Sequence, residues 1–336
     1  MITIPLKNKS NFYSERLTGD ILRLYNASVE NLARGEFTAT VSFSSNVGND
    51  LNGVLDPILE AIFYGCPELF YVEQHAEIAY SGNDVTLTFA NKYKGEEVNG
   101  MWSKLDAEIN RIVEKVKAIP EDYEKLHRIN KYLCARVKPN QSYEGRFGDA
   151  YGALILKEAR CEGYAKAAQL ILERAGFKSI IVCGQVLNGS RREDHAWNMV
   201  SYKNIYYHFD FTWNASRGQY GIPGQEYMYL DDETAWIEHF PAHADYPKCP
   251  DSSKTFWAKH KGIINYHSDL SRIDIVPFKN NYLAMAKLKE MPTALERESD
   301  VFAWMRDELS AYNYGSQISY VCNDRLKLLI FYIINE

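Results

Sequence analysis

The stretch from Arg160 to Trp213 constrains this chain more than any other. Cys161 is followed by Glu162-Gly163 and then by Tyr-Ala-Lys-Ala-Ala-Gln-Leu-Ile-Leu-Glu-Arg-Ala, a strongly helix-forming run that Gly176 stops. Strand-like runs come next, at Ser179–Leu187, His195–Tyr202 and Ile205–Trp213. Residues 188–194 are polar and turn-rich, and Lys203-Asn204 splits the last two runs. Any fold for this chain must start a helix at Cys161 and follow it with strands.

That placement has chemical consequences. The first backbone N–H groups of a helix lack intrahelical acceptors, and the dipole there favours an anion. Arg160 adds positive charge. Both effects favour the thiolate, the reactive form of a cysteine. The same N–H groups can hold an oxyanion during acyl transfer. If Lys203-Asn204 is the hairpin loop, Tyr202 pairs with Ile205, Trp197 with Asp210 and His195 with Thr212. His195 and Asp210 then share one face as diagonal neighbours, and Ala196, Val200, Phe209 and Phe211 face a core. A loop longer by one residue breaks this parity. Cys161, His195 and Asp210 are thus the parts of an activated sulfur nucleophile. Cys161 attacks a carbonyl and forms a thioester. His195 takes the thiol proton and returns one to the leaving group. Asp210 fixes the imidazole tautomer and stabilises its cation.

At these residues the chain resembles the bacterial transglutaminase-like proteins of the papain-like cysteine enzyme superfamily. The matching stretches are Asp122-Tyr123-Glu124-Lys125, Ala150-Tyr151-Gly152-Ala153-Leu154, Cys161-Glu162-Gly163-Tyr164-Ala165, His195-Ala196-Trp197-Asn198 and Asp210-Phe211-Thr212-Trp213. They cover roughly residues 100–240. The resemblance implies the family's triad at Cys161, His195 and Asp210. It also implies an α+β core of helices packed on an antiparallel sheet, with the nucleophile on a helix N-terminus. Two departures bear on specificity. Lys157-Glu158-Ala159-Arg160 stands where family members often carry Gly and small apolar residues, and Asn214 follows Trp213 where Asp is common. Neither removes a catalytic group.

Each choice has a plainer rival. Cys161 without its companions would be as well explained as a packed helix residue; the rivals for His195, a core imidazole, and for Asp210, a strand hydrogen-bond acceptor, weigh less than the functional reading. His208 shares the face of Asp210 and is a rival base, but its position directs it further from the helix. Tyr151 is a candidate oxyanion donor, as an upstream aromatic is in related enzymes, against a structural tyrosine. Trp213 is a candidate shield over the His–Asp pair, against plain packing.

Composition fits an ordinary enzyme. The 336 residues can hold two domains, or one with extensions. A formal charge of −6 argues against nucleic acid as a main partner. The most apolar run, Leu326–Ile334, is far short of a membrane span and reads as a buried strand. Met1-Ile-Thr-Ile-Pro lacks the basic start and apolar stretch of a signal peptide, so the expected location is cytoplasmic, although a chain trimmed for secretion would read the same. The cysteines at 66, 134, 161, 183, 249 and 322 form no CxxC pair and, with the histidines, no zinc spacing, so neither a disulfide framework nor a metal or other cofactor is expected. Cys134 and Cys183 lie in apolar stretches; Cys249, beside Pro250, reads as an exposed loop thiol.

The remaining chain divides at about residues 95 and 249: an N-terminal α+β region (1–95), the catalytic core (96–249) and a small C-terminal α+β module (250–336). Helices are expected at Leu17–Arg34, Gly53–Tyr64, Gly100–Ile119, Glu121–Val137 and Asp300–Ala311. Strands are expected at Glu36–Phe43, from Pro67, and at Asp84–Ala90, Tyr282–Lys289, Gln317–Val321 and Arg325–Ile334. Asn214–Gln225, rich in Gly, Ser and Pro, reads as a mobile loop and a candidate lid.

The leading expectation is a cysteine acyl-transfer enzyme that cleaves or forms amide bonds. Its donor is a peptide, a protein or an acyl thioester, and its acceptor is water or an amine. The rival, from another class, is a catalytically retired papain-like fold that binds peptides or proteins. The complete triad counts against it.

Overall fold

A computed structural model describes residues 2–6, 11–45, 51–93, 95–265, 267–291, 303 and 317–335. It has an α+β fold of helices packed on mainly antiparallel sheets. In the N-terminal part, α1 (Gly19–Ala33) and α2 (Leu51–Phe63) pack against an antiparallel sheet of β1 (Thr38–Ser42), β2 (Val72–Ser81) and β3 (Asp84–Asn91), ordered β1-β3-β2. The alternation of β3 turns Val85, Leu87 and Phe89 inward, all buried. The run from Pro67 first makes a 3-10 turn, Pro67–Leu69, before β2 begins at Val72.

The central part holds the long helices α3 (Gly95–Lys117) and α4 (Asp122–Arg136), a two-residue parallel pair β4 (Lys138–Pro139) and β5 (Glu158–Ala159), and α5 (Cys161–Ala175). Helix α5 packs on an antiparallel sheet ordered β8-β7-β6-β9, made of β6 (Ser179–Asn188), β7 (Arg191–Tyr202), β8 (Ile205–Phe209) and β9 (His239–Pro241). Short helices α6 (Phe211–Arg217) and α7 (Asp232–Ala235) separate β8 from β9. One hydrophobic cluster runs from Ile2 to Cys249 through the N-terminal sheet, α3, α4 and α5.

Next come α8 (Phe256–Lys259), β10 (Ile263–Ile264), β11 (Val276–Phe278), β12 (Asn281–Leu288), β13 (Gln317–Asn323) and β14 (Leu328–Ile334). They form a sheet ordered β10-β12-β14-β13, with β11 on β12. Both faces of its middle are covered. Leu283, Met285, Leu328, Ile330 and Tyr332 join one apolar cluster, and Ala284, Ala286, Leu329 and Phe331 join another. That explains the unbroken apolar run in β14, since a strand covered on both sides has no polar face to keep. The helix expected at Asp300–Ala311 lies outside the described residues, apart from residue 303. No helix of the described residues is long and apolar enough to cross a membrane.

Several details differ from the sequence expectations. The strand read through Trp213 ends at Phe209. The hairpin itself is as expected: Lys203 and Asn204 have φ of 51° and 65°, the pair of left-handed residues of a two-residue turn, and Tyr202 pairs with Ile205. Asp210 then adopts an N-cap conformation, and its side chain accepts the Trp213 N–H, so the aromatic residues that follow enter α6. The local capping bond overrides the strand preference of Phe, Thr and Trp. Residues 191–194, read as part of a turn, extend β7, because the pairing of β6 with β7 continues out to Asn188 and Arg191. The expected lid is tied down. Asn214, fully buried, accepts the Tyr227 N–H and donates to Asn130, whose amide donates to the Gly224 carbonyl. Of that stretch, Ser216, Tyr220 and Gly221 stand exposed. Cys249, expected as an exposed thiol, is fully buried, and its backbone N–H donates to Asp232.

Candidate active site

Cys161 is the first residue of α5, and Arg160 caps the helix in an extended conformation. The chain reaches it through a single turn of π-helix, Gly152–Leu156, closed by Lys157 at φ 65°. The segment 147–149 lies so close beneath the first turn of α5 that a Cβ on Gly163 would sit 2.6 Å from the Phe147 carbonyl oxygen. The glycine of the Cys-Glu-Gly sequence is therefore a packing requirement. Gly163→Ala is expected to lower stability by about 1–3 kcal/mol, because backbone must move to admit the methyl group; thermal denaturation checks this, and an unchanged midpoint would contradict it. At the far end, Gly176 takes φ 99° and donates to Glu173, and Phe177 donates to Leu172, which closes the helix as expected.

Cys161 is partly exposed, whereas Cys66, Cys183 and Cys249 are buried. The charge beside it is not the bare cation that the sequence suggests. Arg160 donates to Glu162 at 2.9 Å, and Gln74 of β2 donates to the same carboxylate oxygen at 3.0 Å. Burial opposes ionisation of Glu162, but Lys166 and Arg160 outweigh it and hold its carboxyl below the usual range. An ion pair, anchored from the N-terminal sheet, thus flanks the thiol.

His195 and Asp210 meet. His195 Nε2 lies 2.7 Å from Asp210 Oδ2, and the two side chains are 7 % and 2 % exposed. Asp210 also accepts the Trp213 backbone N–H on Oδ1 at 2.9 Å. Sequence reading missed a third partner: His239 of β9, whose Nε2 lies 3.0 Å from the same Oδ2. An ionised carboxylate only accepts, so both imidazoles present Nε2–H to it. Burial alone would raise Asp210, but His195 and His239 reverse this and hold it well below the usual carboxylate range. Burial disfavours the His195 cation, yet the Asp210 charge and hydrogen bond, joined by the Cys161 thiol, push the ring up to about 10. With Nε2 committed to Asp210, Nδ1 is the ring nitrogen left to serve a thiol. His239 behaves oppositely: burial holds it low, and its Nδ1 is buried without a partner, as suits a neutral ring.

Trp213 roofs this group. Its ring centroid is 5.8 Å from that of His195 and 4.8 Å from that of His239, and Arg217 lies over its ring. Trp213 thus lies beside the pair from a helix instead of a strand. The Tyr151 ring stacks on Phe70 at 5.6 Å and lies against Tyr93. The rival base His208 is fully engaged, with Nδ1 accepting from Trp197 and Nε2 bonded to Asp232. His239 carried little signal in the sequence. It sits in a three-residue strand 44 positions beyond His195, and reaches Asp210 because Gly184 lets β9 approach: a Cβ there would lie 2.2 Å from the Phe240 carbonyl oxygen.

Residues 110–211 match the Transglutaminase-like superfamily. This segment is transglutaminase-like. The match begins within α3 and ends just past Asp210, so it takes in Cys161, His195 and Asp210 and leaves out His239. Two solved structures are similar in part. One is described as a TGase, 14 % identical, with a TM-score of 0.29 over 52 % of this chain and 51 % of that one. The other is a candidate cysteine protease from Cytophaga hutchinsonii, 12 % identical, with a TM-score of 0.30 over 42 % and 63 %. The chain therefore spans about half the length of the first and under two thirds of the second. No curated protein sequence matches it.

The bond from His239 to Asp210 gives a prediction. A hydrogen bond to a charged group is worth about 1.5–3 kcal/mol, so if Asp210 positions a catalytic base, His239→Ala is expected to cut turnover roughly tenfold or more. His239→Gln keeps a donor in reach and is expected to restore most of it. Equal losses in both variants would make His239 a packing residue only.

Proposed function

We propose that this chain is a cysteine acyl-transfer enzyme that works through a Cys161 thioester. The observation that carries the reading is the pairing of His195 Nε2 with Asp210 at 2.7 Å, beside a partly exposed Cys161 at the start of α5 whose thiol is among the groups that raise the same ring. Cys161 Sγ bonds to the carbonyl carbon of R–CO–X. Its proton is held on His195 Nδ1 and passes to X as the C–X bond breaks, leaving R–CO–S–Cys161. Water or an amine then attacks. It gives a proton to His195, which returns it to the sulfur as the C–S bond breaks. The product is an acid or an amide.

The N–H groups of the first turn of α5 are those that helix geometry leaves without intrahelical acceptors, and they are the candidate donors to the oxyanion. A positioned base contributes roughly 10²–10⁴-fold, and each oxyanion donor about 10²–10³-fold. Trp213 keeps water from the imidazole–carboxylate bond, which strengthens it. The Arg160–Glu162–Gln74 group at the helix tip adds a charged and amide-bearing rim, suited to polar peptide or protein donors.

The test uses p-nitrophenyl acetate as a generic acyl donor. The expected result is a burst of one equivalent of p-nitrophenolate per chain, then slower turnover. Added glycine ethyl ester diverts product from acetate to amide if the acceptor is an amine, and leaves the products unchanged if it is water. Absence of any burst, together with tight binding of peptides, would favour a binding module instead.

A further inference from the structure

A second cluster of donors lies close to the nucleophile and takes no part in the chemistry above. Glu60 on α2, Cys183 on β6 and His243, just beyond β9, come from three separate elements, and their donor atoms all lie within 4.8 Å of one another. Glu60 Oε1 is 3.1 Å from His243 Nε2 and 3.9 Å from Cys183 Sγ. We propose that Glu60, Cys183 and His243 form a binding site for a zinc-class divalent cation beside the active-site helix.

The argument is geometric and chemical. Zinc takes imidazole, thiolate and carboxylate together, at about 2.0–2.2 Å to N and O and about 2.3 Å to S. Tetrahedral angles then separate an O and an N ligand by roughly 3.4 Å, and an S and an O ligand by roughly 3.6 Å. The separations between Glu60 and its two partners bracket those values. The donor set is also selective: a thiolate with an imidazole disfavours magnesium and calcium, which want oxygen alone. Access is open, since the side chains of His243 and Glu60 are 22 % and 33 % exposed. Water would complete the fourth position.

A second layer of hydroxyls surrounds the sulfur. The Tyr13 and Tyr246 hydroxyls lie 3.7 Å and 3.5 Å from Cys183 Sγ, and the Cys183 N–H donates to Tyr246. Such outer partners orient metal ligands. Two other His/Asp groups among the described residues are worse hosts. His195, Asp210 and His239 form the active site, and His208 already uses both ring nitrogens. The position has consequences, because Tyr64, one turn beyond Glu60, packs against Ala165 of α5, Ile181 and Ala196. A bound ion would cross-link α2, β6 and the segment after β9 around the helix that carries Cys161.

The experiment titrates the full chain with Zn²⁺ against a chromophoric chelator, and separately with Co²⁺ followed by absorption. It is run in a Cys161→Ala background so that the nucleophile cannot supply a ligand. The expected result is one ion per chain, with a thiolate-to-cobalt charge-transfer band that disappears in Cys183→Ser. His243→Ala and Cys183→Ser should each weaken zinc at least about 100-fold, and Glu60→Gln should weaken it less. Circular dichroism confirms that each variant folds; His243→Ala, at a partly exposed side chain, decides the matter if Cys183→Ser does not fold. Loss of the ion on removing Cys161, affinity unchanged in His243→Ala, or no stoichiometric binding would each overturn the site. None of these outcomes depends on whether the chain transfers acyl groups.

Discussion

Replacing Cys161 by Ala is expected to remove the p-nitrophenolate burst entirely and to lower steady-state turnover by about 10⁴-fold or more. The stability should hardly change. Cys161 is partly exposed at a helix start, its side chain is small, and alanine favours the helix. The combination is informative, because dead and folded separates a nucleophile from a structural cysteine. Four of the other thiols are poor substitutes. Burial pushes Cys66, Cys134, Cys183 and Cys249 up and away from the ionised form. A residual burst in Cys161→Ala would move the chemistry elsewhere.

The second large effect is expected at Asp210. Its carboxylate accepts from His195, from His239 and from the Trp213 backbone. An asparagine there brings an amide donor to face an imidazole donor. At least one ring must change tautomer, and a proton on His195 Nδ1 blocks the nitrogen that serves the thiol. Asp210→Asn is therefore expected to cost about 10³–10⁴-fold in turnover, and about 3 kcal/mol in stability through the broken buried pair. The stability loss should depend on pH, with a sign fixed by the shifts. Asp210 is depressed in the fold, so its contribution is complete above about pH 4 and is lost as pH falls through the folded value. His195 is raised, so its contribution is complete below about pH 6.5 and fades as pH rises towards about 10. The gap in unfolding free energy between wild type and Asp210→Asn should thus be widest between about pH 4 and 6.5 and narrow on both sides. Denaturant titrations across that range test it; a gap independent of pH would show that the pair is not ionised.

Much of the site could be read from residues 160–213, because each part leaves a local mark. A helix start shows as a break in composition, Gly176 marks the helix end, and a two-residue gap between strands fixes parity. Parity alone puts His195 and Asp210 on one strand face; in the structure Asp210 lies one residue past the strand, as the N-cap of α6, and its carboxylate is 2.7 Å from the imidazole. What failed was the reach of the pattern. Phe211, Thr212 and Trp213 suit a strand as well as any residues do, but the hydrogen bond that the Trp213 N–H donates to the Asp210 side chain turns them into a helix. Asn214 read as loop because amides favour turns, while tertiary contacts with Asn130 bury it. His239, Gln74 and the Glu60–Cys183–His243 group were invisible for a different reason. They depend on close approach of segments 29 to 183 residues apart, and nothing local announces such an approach. Cys249 shows the same limit: a proline beside a cysteine predicts a loop, and says nothing of what covers it.

The most direct measurement is the mass of the intact chain, quenched in acid during turnover of p-nitrophenyl acetate, with peptide mapping of the adduct. The account predicts a single acetyl group on Cys161, removed on standing as product forms, and absent from Cys161→Ala. An acetyl group on another residue, or an unmodified chain during active turnover, would contradict it.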